Sequence, residues 1–509
     1  MSMRTRICLM LCLFFISLGC LRAQTLFNSI YSLDYPTCIF VNAVFANNKI
    51  YTYGIFDTDV NVNGSNDYGV VLSICDTNGI LLSRHPFLSP LGIGLGADDN
   101  FAIRILSNGT IAISAGYFVY NKEQLLLFDT SGSLLLDKVI NYDFGHNQYE
   151  LLEINSGFLF GGNFIPPDSD NKCFITKTDN QGNIQWRKEY GDSTVFSYGV
   201  FDIKAVNDSI FMVASVEATW DWGRSYLFTV DGNGEMLSSF KSPLGEETAA
   251  TSLEYLPNGR IIYTTNKISP LPSPIEKPSI SKIVCRDTAY NLIWEKEVSP
   301  TNWYQNRIVD MKPTPDGNFV LAAKWAPGSN FETPEWAAGC LYKFTPDGEE
   351  LWMVCDTPRW GVPTPLYYQD MYVGGLTVLP SGSVVLVGRA DRWFQPPIRS
   401  FGWMFKVDAN GCQYAPCQVS ATEPQKPVML KVYPNPGHGV VTLRLPDLPQ
   451  GGRLEVFDAF GRKVQEKPTD PSVEMAYLDT TNWPPGTYIV QVNASGGRLV
   501  GVAKLLVSG

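Results

Sequence analysis

Apolar and polar residues alternate along most of the chain in short runs that end at turns rich in glycine, asparagine and aspartate. In Cys173–Trp186, one alternating run reaches Asp179-Asn180-Gln181-Gly182, turns, and continues as a second run that carries Trp186. Alternation with a period of two, bounded by such turns, predicts antiparallel hairpins. The glycine tolerates a positive φ, and the aspartate can accept hydrogen bonds from nearby backbone N–H groups.

The same turn recurs along the chain and sets a repeat. Its last residue falls at positions 79, 132, 182, 234, 291, 348 and 411, and the copy ending at Asn291 is degenerate because it lacks the glycine. A second turn, followed by an apolar run, precedes each copy at Asn48, Gly109, Gly157, Asp208, Gly259, Gly317 and Gly382. Each repeat therefore contains two hairpins, which is about four strands in roughly fifty residues.

One four-stranded sheet cannot bury both of its faces, but sheets stacked around a ring can. The repeats therefore predict an all-β fold in which residues 25–417 form a seven-bladed β-propeller. Trp186, Trp294 and Trp352 occupy equivalent positions after the turn, so we expect them to pack between blades. The Asp-x-x-Gly-x-x-x-Trp pattern resembles the Trp-docking repeat of quinoprotein dehydrogenases, and more closely the propellers of secreted Bacteroidetes proteins. An adjacent cysteine pair is missing, so the resemblance implies the fold and no quinone cofactor.

Composition changes after Cys417. Residues 418–427 are polar and contain proline, as expected of a linker, whereas residues 428–509 again show about seven short strand patterns. This predicts a small immunoglobulin-like β-sandwich. Three blocks in it resemble the type A sorting domain of type IX secretion, and the motif residues are Pro434, Asn435, Pro436, Gly461, Arg462, Gly486 and Tyr488. The resemblance implies a Bacteroidetes-type source, recognition of residues 428–509 by the type IX machinery, and a protein that is secreted or attached to the cell surface.

The N-terminus fits the same route. Arg4 and Arg6 precede the apolar run Ile7–Leu18, and Ala23 is a suitable cleavage point, so residues 1–23 are predicted to be a signal peptide. Lipidation of Cys20 is the alternative. No later apolar run reaches the ~20 residues that a transmembrane span requires. The net charge of −11 argues against a nucleic-acid partner.

Eight cysteines follow the predicted signal peptide, in a compartment where disulfides persist. Cys412 and Cys417 are close enough in sequence for a local disulfide. Cys340 and Cys355 lie equally far from the turn at Asp347-Gly348 and should face each other across a hairpin, although at a hydrogen-bonded position, where disulfide geometry is less favourable. The other four, Cys38, Cys75, Cys173 and Cys285, are expected to be buried strand residues.

One stretch resembles a calcium-binding loop. Oxygen-bearing side chains alternate before a glycine, and the candidate ligands are Asp57, Asp59, Asn61, Asn63 and Asp67. Val70 stands where the last ligand of such a loop is normally a glutamate, so a polar connection between strands is the alternative. No other cofactor is expected, because the sequence contains no paired histidines, no Cys-x-x-Cys spacing and no phosphate-binding loop.

Aromatic residues outside the repeat positions gather in the stretches that join strands. The candidate ligand-binding residues are Trp220, Trp222, Trp303, Trp360 and Trp393. Flat rings on loops suit sugar stacking or protein contact, and covering apolar surface is the alternative. We therefore predict a surface-exported propeller that binds or scaffolds a glycan or protein. The alternative is a secreted propeller glycoside hydrolase or polysaccharide lyase, in which carboxylates from different blades act together. The missing catalytic motifs favour binding over catalysis.

Overall fold

The computed structural model describes residues 26–35, 37–58, 68–96, 103–117, 121–142, 145–165, 172–191, 197–218, 223–268, 279–298, 303–327, 338–358, 369–392, 399–413, 428–445, 452–459, 462–469, 475–494 and 499–508. The chain divides into two compact units, residues 1–417 and 418–509. Regular structure in the described ranges consists of strands joined by turns. Within those ranges, no helix has the length and apolar composition that a membrane crossing requires.

The first unit contains seven antiparallel sheets, which we call blades 1 to 7. The first strand in the described residues is β1 (Phe27–Tyr31). Blade 1 contains β2 (Thr37–Ala46), β3 (Lys49–Asp57), β4 (Tyr68–Asp76) and β5 (Leu81–Phe87). Blade 2 contains β6 (Leu95–Gly96), β7 (Ile103–Ile105), β8 (Ile111–Tyr117), β9 (Lys122–Phe128) and β10 (Leu134–Asn141), and both β6 and β7 pair with β8. Blade 3 contains β11 (Gly145–Ile154), β12 (Gly157–Ile165), β13 (Lys172–Thr178) and β14 (Ile184–Tyr190).

The later blades repeat the same strand order. Blade 4 contains β15 (Ser197–Asn207), β16 (Ile210–Ala218), β17 (Gly223–Asp231) and β18 (Met236–Lys241). Blade 5 contains β19 (Ser252–Tyr255), β20 (Ile261–Ile268), β21 (Ser279–Arg286) and β22 (Leu292–Glu297). Blade 6 contains β23 (Trp303–Pro313), β24 (Phe319–Pro327), β25 (Ala338–Phe344) and β26 (Glu350–Asp356). Blade 7 contains β27 (Gln369–Val378), β28 (Val384–Arg392), β29 (Arg399–Val407) and, as its fourth strand, β1.

Each blade packs on the next through its own apolar core, and the last blade packs on the first. Leu72 of blade 1 and Ile113 of blade 2 share one such core, and corresponding cores join every later pair. Phe40 of blade 1 and Met404 of blade 7 belong to the core that completes the ring. The predicted seven-bladed propeller is thus confirmed, and its apolar alternation is what buries both faces of each sheet.

The ring closes through the N-terminal strand. The sequence pattern predicts four strands within each repeat, but blade 7 takes its outer strand, β1, from the start of the chain. The register pairs Phe27 with Lys406, just as Trp352 pairs with Lys343 in blade 6. Phe27 therefore occupies the position that tryptophan holds in other blades. Its ring lies so close to Gly79 of blade 1 that a Cβ there would come within 2.8 Å of it.

The Asp-x-x-Gly turns join the third and fourth strands and are held by their first residue. Asp179 Oδ1 accepts hydrogen bonds from the N–H groups of Gln181 and Asn183, at 2.9 and 2.8 Å. The side-chain hydrogen bond from Asn183, together with these backbone bonds, lowers the pKa of Asp179. The same pair of backbone bonds recurs at Asp76, Asp129, Asp231, Asp287 and Asp408. In blade 6, Thr345 Oγ1 takes this role and accepts from Glu349 N–H at 3.1 Å.

Tryptophans of the outer strands dock on the turn of the following blade, as predicted. The indole Nε1–H groups of Trp186, Trp294 and Trp352 donate to backbone carbonyl oxygens of the next turn, at 3.2, 3.2 and 3.1 Å. A Cβ on Gly234 would lie 2.8 Å from the ring of Trp186, so the glycine provides the space for the indole. The turn glycine therefore has two functions, a positive φ and a close inter-blade approach.

The degenerate turn, between β21 and β22, reverses the roles of strand and turn in this contact. Its positive-φ residue is Tyr290, at φ 63°, and not Asn291, so the position expected from the sequence was wrong by one residue. In the preceding blade, Ser238 stands where blades 3, 5 and 6 have tryptophan. The Tyr290 hydroxyl lies 2.8 Å from Ser238 Oγ, and its ring stacks on Phe240 with centroids 5.5 Å apart. An aromatic ring still fills this contact, but it comes from the turn instead of the strand.

The second unit is the two-sheet β-sandwich predicted from its strand pattern. Its strands are β30 (Val428–Met429), β31 (Val432–Tyr433), β32 (Val440–Arg444), β33 (Gly452–Asp458), β34 (Lys463–Thr469), β35 (Met475–Asp479), β36 (Gly486–Ala494) and β37 (Leu499–Val507). One sheet has the order β30-β37-β36-β33-β34 and the other has the order β31-β32-β35. Leu443, Leu454 and Val490 are fully buried between them.

The described cysteines are either disulfide-bonded or free. A disulfide joins Cys340 to Cys355 across the β25–β26 hairpin. Cys412 is also disulfide-bonded, and Cys417 lies outside the described residues. The other four described cysteines are free and buried, as predicted: Cys38, Cys75, Cys173 and Cys285.

The contact between Phe27 and Gly79 can be tested with a matched pair of variants. Gly79→Ala and Gly317→Ala each place a methyl group at φ +80°, but nothing lies within 4 Å of a Cβ at Gly317. Both should lose about 1 kcal/mol from backbone strain. Gly79→Ala should lose about 1–3 kcal/mol more, because the methyl displaces Phe27. Urea unfolding of the two variants measures the difference, and equal losses would show that Phe27 contributes nothing to closure.

The inverted contact between blades 4 and 5 predicts a compensating pair. Ser238→Trp alone should destabilise the ring because the indole collides with Tyr290, and Tyr290→Gly alone should do so because the contact loses its ring. Combining the two substitutions recreates the arrangement at Trp186 and should recover stability, with a coupling energy of about 1–3 kcal/mol in a double-mutant cycle. Additive losses would contradict the exchange of one ring for the other.

Candidate functional site

The first strands of neighbouring blades pack against one another around the ring, so they line its centre. Charged side chains from these strands form what we call the inner charge cluster: Arg104, Glu150, Asp202, Lys204, Glu254, Asp310 and Lys312. Arg104, Lys204 and Lys312 come from blades 2, 4 and 6. Their side chains are 23%, 22% and 26% exposed, whereas those of Glu150, Asp202 and Asp310 are 9% exposed or less. The cations are thus the more accessible part of the cluster.

Every cation of the cluster is paired with a carboxylate. Arg104 forms a close ion pair with Glu150 of the neighbouring blade. Lys204 Nζ lies 3.2 Å from Glu254 of the next blade and 3.5 Å from Asp202 of its own strand. Lys312 Nζ lies 2.9 Å from Asp310 Oδ1, also on its own strand. Three cations are thus paired with four carboxyl groups within the ring.

β-bulges set the direction in which the buried carboxylate side chains point. The strand register shifts immediately before Glu150, Asp202 and Asp310. A bulge turns the following side chain relative to the regular alternation of the strand. Asp202 Oδ2 accepts the N–H of Leu253 in blade 5 at 2.8 Å, and Asp310 Oδ2 accepts the N–H of Leu376 in blade 7 at 3.1 Å. These two aspartates link successive blades at the centre, as the tryptophans do at the periphery.

Glu150 has the most perturbed carboxyl group of the cluster. Burial raises its pKa to about 7, against the opposing effect of Arg104 beside it. No backbone hydrogen bond of the kind that holds Asp202 and Asp310 is seen at Glu150 among the described residues. A buried carboxyl group with a pKa near neutrality can exchange a proton under ordinary conditions.

The sequence-predicted calcium site falls mostly outside the described residues. Asp57 is buried at the end of β3, next to Tyr68 at the start of β4. The other candidate ligands, Asp59, Asn61, Asn63 and Asp67, lie in the stretch that is not described. In the part of the chain that the structure describes, no group of three or more His, Cys, Asp or Glu side chains is arranged to hold a metal ion. Calcium binding stays a prediction.

The predicted aromatic residues belong to one kind of connection. Trp220 and Trp222 fall between β16 and β17, and Trp393 falls between β28 and β29. Trp360 falls between blades 6 and 7, and Trp303 begins the first strand of blade 6. In an antiparallel sheet these connections start and end at one edge, opposite the Asp-x-x-Gly turns. The flanking strand ends therefore lie on one side of the ring, although all these tryptophans except Trp303 lie outside the described residues.

The sequence reasoning did not single out the inner charge cluster. A usable signal is present in Asp202-x-Lys204 and Asp310-x-Lys312, two pairs at the same place in their repeats. Residues two apart in a strand share a face, so each pair had to point together into the ring or together into a core. The bulges that precede the aspartates cannot be recognised from alternation alone.

In the second unit, the sorting motif fastens the first turn to the last strand. The side-chain amide of Asn435 donates to the carbonyl oxygen of Lys504 at 2.7 Å, and its Oδ1 accepts the N–H of Leu506 at 2.8 Å. Both flanking prolines, Pro434 and Pro436, follow cis peptide bonds. Asn435 therefore pairs with β37 as another strand would.

The remaining motif residues also hold the sandwich together. Arg462 pairs with Asp458 at 2.7 Å, and its backbone N–H donates to the same carboxylate at 3.0 Å. Tyr488 is buried beside Trp483, and its hydroxyl donates to the carbonyl oxygen of Pro484 at 2.8 Å. Gly486 begins β36, and Gly461 lies outside the described residues.

Comparison with known proteins identifies the second unit. Residues 431–508 match the secretion system C-terminal sorting domain family. No curated protein matches the chain. The sorting domain indicates that the protein interacts with the type IX secretion machinery and is exported across the outer membrane, either to the cell surface or into the medium.

Solved structures similar to the chain differ widely in activity. An ulvan lyase of a new polysaccharide lyase family is 12% identical, with 74% of this chain and 96% of that chain covered and a TM-score of 0.47. A fungal alcohol oxidase in complex with copper is 11% identical, with 95% and 100% covered and a TM-score of 0.42. Drosophila Semaphorin 2a is 8% identical, with 95% and 98% covered and a TM-score of 0.43.

The raised pKa of Glu150 predicts a pH-dependent stability. Between pH 4.5 and about 7, the folded chain binds a proton at Glu150 that the unfolded chain does not, so stability falls as the pH rises through this window. Glu150→Gln should flatten that dependence, by up to roughly 3 kcal/mol between pH 5 and pH 7.5. Urea unfolding at several pH values measures it. Glu235→Gln, which changes an exposed ion-paired carboxylate, is the control, and the idea fails if all three proteins show the same slope.

Proposed function

We propose that this protein is an extracellular binding or scaffold module, exported by its sorting domain, whose propeller binds a glycan or a protein. Its central carboxylates are largely used by the fold, and this observation carries the proposal. Asp202 and Asp310 accept backbone N–H groups of the neighbouring blades, and Glu254 is paired with Lys204. A hydrolase needs two free carboxyl groups at a defined separation, and among the described residues these bonds leave few carboxyl groups at the centre for that chemistry.

The ligand is expected on the side of the ring opposite the Asp-x-x-Gly turns. The strand ends that flank the five candidate tryptophans lie there, and the connections on that side differ most in length and sequence between repeats. Aromatic rings bring a large contact area at little entropic cost, both for sugars and for proteins. The turn side, by contrast, is repeated nearly unchanged because it holds the blades together.

A second candidate function is a glycoside hydrolase or polysaccharide lyase. Glu150 favours it, because a carboxyl group with a pKa near 7 is suited to general acid or base catalysis. In that case Arg104, which is paired with Glu150, would contact an acidic substrate. The two functions differ in whether a bound glycan is released intact or cleaved.

Glycan-array binding with the full chain tests both functions. The variant with Trp220, Trp222 and Trp360 changed to Ala should lose affinity about tenfold or more with an unchanged melting temperature. Trp352→Phe is the matched control, because it weakens a docking contact and should lower the melting temperature without changing affinity. Retained binding by the triple variant would contradict the proposed site. Product formation that disappears in Glu150→Gln would establish the second function instead.

A further inference from the structure

The two outer faces of the sorting domain differ in chemistry. On the five-stranded sheet, charged side chains pair with one another: Lys463 lies close to Glu455 and 2.8 Å from Glu466, and Arg453 lies 2.8 Å from Glu466. Glu455 also accepts a hydrogen bond from Asn493. These charged groups are therefore paired within the domain.

The outer face of the three-stranded sheet is aromatic and apolar. Strands β31, β32 and β35 turn Val441, Leu443 and Leu478 into the core, so the alternate residues point outward. Among the outward residues, Tyr433 is 79% exposed, Val440 58%, Tyr477 57% and Met475 40%. We call the surface formed by Tyr433, Val440, Thr442, Arg444, Met475, Tyr477 and Asp479 the tyrosine face.

The strand register arranges this face around one central row. Tyr433 pairs with Thr442, and Thr442 pairs with Tyr477, so the two rings flank a small threonine on three adjacent strands. Arg444 lies opposite Met475 on one side of the row, and Val440 lies opposite Asp479 on the other. The result is an apolar centre with one positive and one negative group at opposite corners.

The composition of the tyrosine face fits contact with a protein. Tyrosine, methionine and arginine are enriched in protein interfaces, and buried tyrosines flanked by a polar rim are typical hot spots. The neighbouring motif residues cannot take this role, because Asn435 is bound to β37 and Tyr488 is buried. Tyr433 directly precedes that motif, yet the sandwich leaves most of its ring in solvent.

We propose that the tyrosine face is the surface through which the sorting domain docks on a protein of the secretion machinery. The partner would place apolar side chains over Tyr433 and Tyr477, accept hydrogen bonds from their hydroxyl groups, and present an acidic group to Arg444 and a basic group to Asp479. This inference rests on the proposed function only in that the sorting domain is an export signal. It adds that the secretion machinery recognises the tyrosine face of that domain.

Export assays with the full chain test this docking surface. In cells that possess type IX secretion, Tyr433→Thr/Tyr477→Thr should reduce the exported fraction about tenfold or more, with the protein accumulating in the periplasm. Threonine retains strand propensity, so the melting temperature of the purified variant should stay that of the parent. Val464→Thr, at a residue that is 43% exposed on the other sheet, is the matched control and should be exported normally.

Further outcomes of this assay distinguish a failure of the tyrosine face as docking surface from a failure of the sorting domain as export signal. Deletion of residues 428–509 should abolish export in the same assay. If it does not, the export function itself fails, whatever the tyrosine variants do. If the deletion blocks export but the double variant leaves normally, the tyrosine face is refuted as the docking surface. A lower melting temperature of the double variant, or a shift from dimer to monomer in gel filtration, would also refute it, because the face would then be covered by the rest of the chain or by a second copy.

Discussion

The propeller depends on one repeated contact, in which the outer strand of a blade docks on the Asp-x-x-Gly turn of the next blade. On the outer strands of blades 3, 5 and 6 the contact joins a tryptophan ring, a glycine that leaves room for it, and a backbone carbonyl oxygen that accepts a hydrogen bond. Trp186 on Gly232 and Gly234 shows all three parts. A lysine of the neighbouring strand adds a second bond to the same kind of carbonyl, as Lys343 does to Ala409. Because each blade alone leaves a sheet face uncovered, these contacts and the apolar cores between blades make the blades stabilise one another.

At two of the inter-blade junctions, residues other than tryptophan fill this contact. Between blades 4 and 5, the ring belongs to Tyr290 of the turn, and the strand contributes Ser238. The two hydroxyl groups are hydrogen-bonded to each other. At the closure, Phe27 provides the ring, and Lys406 donates to the carbonyl oxygen of Thr77 at 2.6 Å. Burial lowers the pKa of Lys406 to about 8. Burial therefore makes the charged form of this lysine less stable than it would be in water. A filled, hydrogen-bonded contact is the constraint, and several residue pairs satisfy it.

The sequence predicted those features that arise from neighbouring residues. Period-two alternation and turn chemistry are local, so the hairpins of both units and the turn at Asp179 could be predicted. The place of β1 could not, because its pairing with β29 joins residues almost 380 positions apart and leaves no local pattern. Tyr290 was missed because a tyrosine at positive φ contradicts the rule that identifies such turns. The inner charge cluster was missed because bulges before Glu150, Asp202 and Asp310 change which residues face the centre.

Closure by the N-terminal strand makes the ring depend on contacts between its two ends. Strand β1 belongs to the earliest part of the chain, whereas its partner β29 is the last strand of the propeller. The indole of Trp403 donates to Asn28 Oδ1 at 2.7 Å across a sequence separation of 375 residues. Contacts of such separation carry the largest loop-closure cost and form late. The ring can therefore close only after the chain has been made as far as β29.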